Sequence, residues 1–159
     1  MKISFLTSTH INFDDRVYYH LAYSLLKKGH KIEIISSDSI LKSNNRISFN
    51  SFNGDLISRK EKIKTFIKKL SLFKPQVIIC SEPLTVIAAK KYAKDKGVKI
   101  IYDITEWYPS NKNLVNYSIL TKGFHFFKYI LINIYAGFYS DGFIFGEYYK
   151  SKPFKILFS

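Results

Sequence analysis

The chain lacks the features that stabilise small secreted domains and those that bind phosphate through the backbone. Its 159 residues include one cysteine, Cys80, so no disulfide forms within the chain, and a lone thiol suits a reducing compartment. Only seven glycines are present, and none lies in residues 7–17. No apolar run is long enough for a transmembrane helix, and no signal peptide is visible. These shortages predict a cytoplasmic protein of one ordinary domain.

Acidic residues are also few. The chain has 12 Asp/Glu against 25 Lys/Arg, for a formal net charge of +13, and residues 56–100 alone carry 12 Lys/Arg and 3 Asp/Glu. Such a field favours anionic partners, namely lipid headgroups, nucleic acid or acidic glycans. A solvated lysine-rich surface explains it equally well. Because no nucleic-acid-binding motif accompanies the charge, nucleic acid is the least favoured partner.

Strand and helix patterns alternate along the chain. Strands are predicted at 3–6, 31–35, 47–52, 76–80, 98–102 and 142–145, and helices at 15–28, 60–73, 84–96 and 113–139. Short strands that are apolar on both sides predict a mostly parallel sheet between two helical layers, a Rossmann-like three-layer α/β sandwich. No element is predicted after residue 145, and the chain stops abruptly, as it would at a boundary between two domains.

The most informative segment is residues 7–17, which follow the first predicted strand. Ligands of open α/β sheets bind at the loops that join the carboxyl ends of strands to helices. A phosphate site there needs glycines, which let backbone N–H groups approach the anion. This segment offers His10, Asp14, Asp15 and Arg16 instead. Two carboxylates at a helix N-terminus repel phosphate but accept hydrogen bonds from hydroxyls, so the segment predicts a site for a sugar or another polar partner. Arg16 is expected to pair with a carboxylate that holds the loop.

A second polar group follows the strand predicted at 98–102. Asp103 and Glu106 should emerge at the same sheet edge as His10, because the carboxyl ends of parallel strands share one edge. Two carboxylates beside an aromatic ring are suited to binding a sugar, whereas Trp107 alone is better interpreted as a core residue. A turn-capping role for Asp103 is the alternative.

Other acids near this edge have simpler interpretations. Glu82 is interpreted as an acid that complements a helix N-terminus, and Glu147 lies where the last strand ends, facing the same crevice. The sequence has no metal-ligand cluster, no P-loop and no Ser/His/Asp signature. It therefore assigns no metal, no cofactor and no catalytic base.

Two segments suggest a membrane partner. Helix 60–73 is basic and amphipathic, and residues 123–135 are rich in aromatics, a combination typical of an interfacial membrane surface. The alternatives are a helix with one face in water and a core helix. The lysines assigned to the membrane-facing surface are Lys60, Lys62, Lys64, Lys68 and Lys69.

The order of several motifs resembles the N-terminal domain of family 4 glycosyltransferases of the GT-B fold. The matching stretches are Asp14-Asp-Arg-Val17, Leu26-Lys-Lys-Gly-His30, Lys74-Pro-Gln-Val-Ile78, Tyr102-Asp-Ile-Thr-Glu-Trp-Tyr-Pro109 and Asp141-Gly-Phe-Ile144. The resemblance covers nearly the whole chain. It implies that residues 1–159 are a Rossmann-like acceptor-binding domain of a two-domain enzyme, with the cleft lined by His10, Asp14, Asp15, Arg16, Asp103, Thr105, Glu106 and Glu147.

The resemblance also implies a nucleotide-sugar donor bound by a C-terminal domain. That domain carries a Glu-x₇-Glu element, which this chain does not contain. Many relatives have Asp-x-His-Glu where this chain has Asp103-Ile-Thr-Glu106, so Thr105 replaces a histidine of the active site. The implied activity is sugar transfer to a glycan or lipid-linked acceptor in bacterial surface polysaccharide synthesis, with the isolated domain inactive.

A hypothesis of another class remains open. A flavodoxin-like α/β module without chemistry, docking a protein, a membrane or nucleic acid, has the same strand and helix pattern. The length of the open reading frame separates the two, because a transferase needs a second domain with the Glu-x₇-Glu element.

Overall fold

Alternating strands and helices run through the computed structural model, which describes residues 1–10, 13–38, 46–105, 114–115 and 118–158. These residues form a six-stranded sheet flanked by five helices. The strands are β1 Lys2–Thr7, β2 Lys31–Ser36, β3 Ser48–Phe49, β4 Val77–Cys80, β5 Lys99–Ile104 and β6 Gly142–Phe145. The helices are α1 (π-helical over Asp15–Ala22, α-helical over Tyr23–Lys27), α2 Arg59–Phe73, α3 Pro83–Ala93, α4 Ile119–Phe138 and α5 Tyr148–Phe158.

The strand order places a crevice at the middle of the sheet. The order is β3-β2-β1-β4-β5-β6, and each neighbouring pair is parallel. This is the Rossmann order, which reverses direction between β1 and β4, and ligands of such sheets bind at the carboxyl ends of the strands beside that reversal. The predicted α/β class is confirmed, with a sheet that is parallel throughout its described strands.

The two faces of the sheet are covered unequally. Helix α1 covers one face over β1–β3, where Phe5, Val17 and Ile34 are buried together. The remaining helices cover the other face, on which Phe66 of α2 and Tyr102 of β5 are fully buried. Strands that are buried on both sides explain the continuous apolar runs of the sequence.

Helix α5 corrects the expectation that the chain has no element after residue 145. Residues 148–158 form a helix in spite of Pro153, which removes a helical hydrogen bond and obscures the sequence pattern. Phe154 is 2% exposed and packs against the rings of Tyr102, Phe143 and Phe145. Burial of this ring against the sheet therefore outweighs the unfavourable local propensity.

Candidate functional site

Glu82 holds the loop after β1 over the carboxyl edge of the sheet. Its carboxylate, 4% exposed, accepts hydrogen bonds from the hydroxyls of Thr7 and Thr9 at 3.1 and 2.7 Å. It also accepts from the backbone N–H groups of Ser8 and Thr9 at 2.9 and 3.2 Å. Glu82 is the N-cap residue of α3, as its position predicted, but binding the first loop is a role that the sequence did not indicate.

His10 lies between two carboxylates at this edge. Its Nδ1 is 3.1 Å from Oδ2 of Asp14, and its Nε2 is 3.8 Å from Oε1 of Glu82. Asp14 is the N-cap of α1, because its Oδ1 accepts from the backbone N–H groups of Arg16 and Val17 at 3.0 and 3.1 Å. The side chains of His10 and Asp14 each remain 27% exposed. Asp14 thus orients an imidazole that a ligand hydroxyl can reach.

Arg16 supplies the strongest ion pair of the site. Its Nε donates to Oδ2 of Asp103 at 2.9 Å, and its Nη2 donates to Oδ1 of the same carboxylate. The hydrogen bond to Asp103 raises the pKa of the Arg16 guanidinium. Asp103 is fully buried, so it is committed to Arg16 and is not presented to a ligand, contrary to the expectation that it positions acceptor hydroxyls. The pair instead ties the start of α1 to the end of β5.

The end of β6 completes the surroundings of this ion pair. A Cβ atom at Gly146 would lie 2.8 Å from Nη1 of Arg16, so glycine makes room for the guanidinium there. Lys150 of α5, 8% exposed, donates to the carbonyl oxygen of Thr105 and lies 3.3 Å from Oε1 of Glu147. Thr105 and Glu147 are therefore linked through a lysine that sequence reasoning did not single out.

The remaining predicted site residues fall into two groups. Asp15 is exposed at the start of α1. Glu106 and Trp107 lie outside the described residues. The end of β2 also contributes, although no motif marked it: Ser36 Oγ donates to the carbonyl of His10 at 3.0 Å, and Ser37 Oγ donates to that of Ser8 at 2.8 Å.

The lysines assigned to a membrane-facing surface do not share one face. Lys60, Lys64 and Lys68 are exposed on α2 at intervals of four residues, so they form one stripe. Lys62 lines a cavity instead. Lys69 is partly buried: its Nζ donates to the side chain of Asn50, and burial lowers the pKa of its ammonium group.

Other chemistries find no support at this site. Cys80 is buried at the end of β4, and burial raises the pKa of its thiol, so it offers no thiolate nucleophile. Among the described residues, no group of three His, Cys, Asp or Glu side chains is placed to hold a metal ion. Within the same ranges, no helix combines the length and the apolar character needed to cross a bilayer.

We expect replacement of Glu82 by glutamine to lower the free energy of unfolding by about 1–3 kcal/mol, because the amide nitrogen cannot accept from the N–H and hydroxyl donors of the first loop. Urea denaturation measures this loss. The control is Asp15→Asn, which removes the same charge from an exposed position nearby. Equal stability of the two variants would mean that the loop does not depend on the Glu82 carboxylate.

Comparisons with known proteins give a fold and no sequence family. No family model matches the chain, and no curated protein matches it. Among solved structures, the sucrose-phosphate synthase of Thermosynechococcus elongatus aligns with a TM-score of 0.60 at 9% identity, over 89% of this chain and 41% of that one. The UDP-GlcNAc 2-epimerase of Methanocaldococcus jannaschii aligns with a TM-score of 0.56 at 14% identity, over 100% and 43%.

A third similar structure is UGT89C1 of Arabidopsis thaliana, which was solved in complex with UDP. It aligns with a TM-score of 0.53 at 13% identity, over 96% of this chain and 47% of that one. The chain has the Rossmann-like fold of a GT-B domain. It spans less than half the length of each of these proteins. Because they include an epimerase as well as glycosyltransferases, the GT-B fold alone does not select one reaction.

Proposed function

We propose that the chain is the N-terminal, acceptor-binding domain of a family 4 glycosyltransferase. The whole enzyme would transfer a sugar from a nucleotide-sugar donor to a glycan or lipid-linked acceptor in bacterial surface polysaccharide synthesis. The GT-B fold supports the reaction class, and the motif order of the sequence supports the family. The observation that carries the proposal is that the Glu82 carboxylate accepts the hydrogen bonds of the first loop's N–H and hydroxyl groups.

Glu82 favours the acceptor half of such an enzyme. In Rossmann-like domains that bind phosphates, the backbone N–H groups after the first strand cradle the anion. Here the N–H groups of Ser8 and Thr9 already donate to the Glu82 carboxylate. A donor diphosphate at this loop would have to displace a buried internal anion. The donor is therefore assigned to a second, C-terminal domain, and this loop to a partner with hydroxyl groups.

His10 and Asp14 are the groups best placed to meet an acceptor hydroxyl. Both side chains are partly exposed at the crevice, and Asp14 fixes the orientation of the imidazole. A histidine held in this way suits hydrogen bonding to a hydroxyl and proton transfer from it. Arg16 and Asp103 act indirectly, because their partly buried ion pair holds α1 and the first loop in place. Thr105 and Glu147 line the far side of this edge, at β5 and β6.

The same proposal includes contact with an anionic membrane surface. Helix α4 exposes a stripe of large apolar side chains, and helix α2, on the same side of the sheet, exposes the lysine stripe Lys60, Lys64 and Lys68. Basic residues beside exposed aromatics match the chemistry of an interface between water and anionic lipid. The members of the α4 stripe are Phe124, Phe127, Leu131, Tyr135 and Phe138.

The test begins with the DNA that follows the codon for Ser159. We expect a second domain containing a Glu-x₇-Glu element, and transfer of sugar by the complete protein when nucleotide-sugar donors are supplied with membrane extracts. His10→Ala and Asp14→Ala should each lower kcat by about 100-fold, in the range of lost acid–base catalysis. The control is Lys91→Gln on the exposed surface of α3. A stop codon at this point, with no transfer by the chain, would favour a non-catalytic docking module.

A further inference from the structure

Helix α3 packs against both α2 and α4. A cavity of about 370 Å³ lies beside its first turns, with Leu84 and Ile87 of α3 and Ile132 of α4 among its apolar walls. An adjoining hollow between α3 and α4 shares Ile87 and Ile132 and extends to Leu131 and Tyr135. We call the two together the α3–α4 groove. Its volume falls in the range of small-molecule binding sites.

One end of the groove is cationic and opens on the candidate site. Arg59 and Lys62, in the first turns of α2, line the cavity, and so do Ser8 and Thr9 of the first loop. In the described part of the chain, neither cation lies within ion-pair distance of a carboxylate. Glu82 also lines the cavity, but its oxygens accept hydrogen bonds from the first loop. The groove thus has apolar walls between α3 and α4 and two positive charges at the end beside the crevice.

We propose that this groove binds the acceptor as an amphiphile that carries a phosphate on an apolar chain. Arg59 and Lys62 would pair with the phosphate, the chain would lie between α3 and α4, and the sugar end would reach the first loop beside His10. This inference rests on the proposed acceptor-binding function and names the class of acceptor.

Each simpler occupant leaves part of the groove unused. A purely apolar ligand would cover Arg59 and Lys62 without pairing their charges, which is unfavourable. A water-soluble sugar phosphate would pair the charges but leave the apolar walls at Ile87 and Ile132 in contact with water. A flat bilayer surface would rest on the exposed stripes of α2 and α4 rather than on Leu84, a half-buried residue of α3. A phosphate joined to a chain satisfies both parts.

Calorimetry of the 159-residue chain with monomeric dodecyl phosphate tests the proposal. We expect one molecule bound per chain, and at least tenfold weaker binding to inorganic phosphate and to dodecyl maltoside, which has the chain but a neutral head. Arg59→Gln combined with Lys62→Gln should weaken dodecyl phosphate binding at least tenfold. Ile132→Glu should do the same by placing a carboxylate in the apolar wall. The matched control, Lys91→Gln with Lys94→Gln, removes two charges from the exposed far end of α3 and should change affinity less than twofold.

Four outcomes would overturn the proposal. An equal loss in the control pair would assign binding to the general positive field, and equal binding of dodecyl maltoside would assign it to apolar contact alone. Binding of inorganic phosphate as tight as that of dodecyl phosphate would mean that the apolar walls of the groove do not contribute. Binding to anionic vesicles but not to monomeric dodecyl phosphate would make the groove part of a bilayer contact.

These outcomes are separable from failure of the proposed function, because the binding assay contains no sugar donor. Transfer by the complete protein to a water-soluble acceptor, at a rate unchanged by the Arg59→Gln and Lys62→Gln pair, would retain the transferase and overturn the groove as its acceptor site. Tight, selective binding of dodecyl phosphate without any transfer would retain the groove and overturn the transferase.

Discussion

Replacement of Arg16 by glutamine is expected to lower the free energy of unfolding by about 3 kcal/mol, the low end of the range for removing one partner of a buried ion pair, since the Arg16 side chain itself is 28% exposed. The reason is that Asp103 is fully buried and its described hydrogen bonds come from the Arg16 guanidinium. Without that cation, the Asp103 carboxylate is shielded from water and has no positive charge beside it. Urea denaturation at pH 7 measures the loss, and circular dichroism of the undenatured variant shows whether it still folds.

The double variant Arg16→Gln with Asp103→Asn separates this effect from a general change in packing. It removes both charges, so much of the stability should return, because two amides can hydrogen-bond without a buried charge. The matched control is Arg59→Gln, an exposed arginine, which should change the free energy of unfolding by no more than about 0.5 kcal/mol. A loss below about 1 kcal/mol for Arg16→Gln would show that the pair does not hold α1 to β5.

Replacement of Lys60, Lys64 and Lys68 by glutamine is expected to weaken binding to anionic vesicles by roughly 100-fold. Each lysine near an anionic surface contributes about 1 kcal/mol, and 1.4 kcal/mol is a factor of ten. The three side chains form the exposed stripe of α2, so the variant should fold normally. Sedimentation with phosphatidylserine-containing vesicles at low salt measures the change, and added salt should reduce binding of the unsubstituted chain.

A matched triple variant tests whether position or total charge matters. Lys27, Lys28 and Lys31 lie at the end of α1 and the start of β2, away from the face that α2 and α4 share. Changing them to glutamine removes the same charge and should leave vesicle binding within about threefold, about 0.6 kcal/mol. Equal loss in both variants would mean that the position of the lysines does not matter. Equal binding of the unsubstituted chain to neutral vesicles would mean that the positive charge has no role in membrane binding.

The fold was largely predictable because strands buried on both faces leave a simple signal. Runs such as Val77–Cys80 are short and apolar throughout, and the helices between them have apolar residues at intervals of three or four. Helix α5 was missed because Pro153 and several exposed apolar residues hide its one buried ring, Phe154. Apolar spacing likewise predicts a helix after Asp14 but does not distinguish its π-helical turns from α-helical ones.

The position of the polar site residues at one edge of the sheet was predictable, but their hydrogen-bond partners were less so. Polar residues after strands mark the carboxyl edge, which led to His10, Asp14 and Asp103. Glu82 was underrated because its partners include backbone N–H groups, which every non-proline residue carries and which leave no trace in composition. The hydrogen bond from Lys69 was not predictable, because helical spacing alone does not show that Asn50 lies within reach of its ammonium group.

The carboxylate of Glu82 has a consequence for inhibition. Because the backbone donors of the first loop already hold an internal anion, that loop offers little to a nucleoside diphosphate or a free phosphate. Nucleotide mimics are therefore expected to bind weakly at this loop. Compounds directed at this crevice should carry neutral hydroxyl groups that His10 and Asp14 can reach.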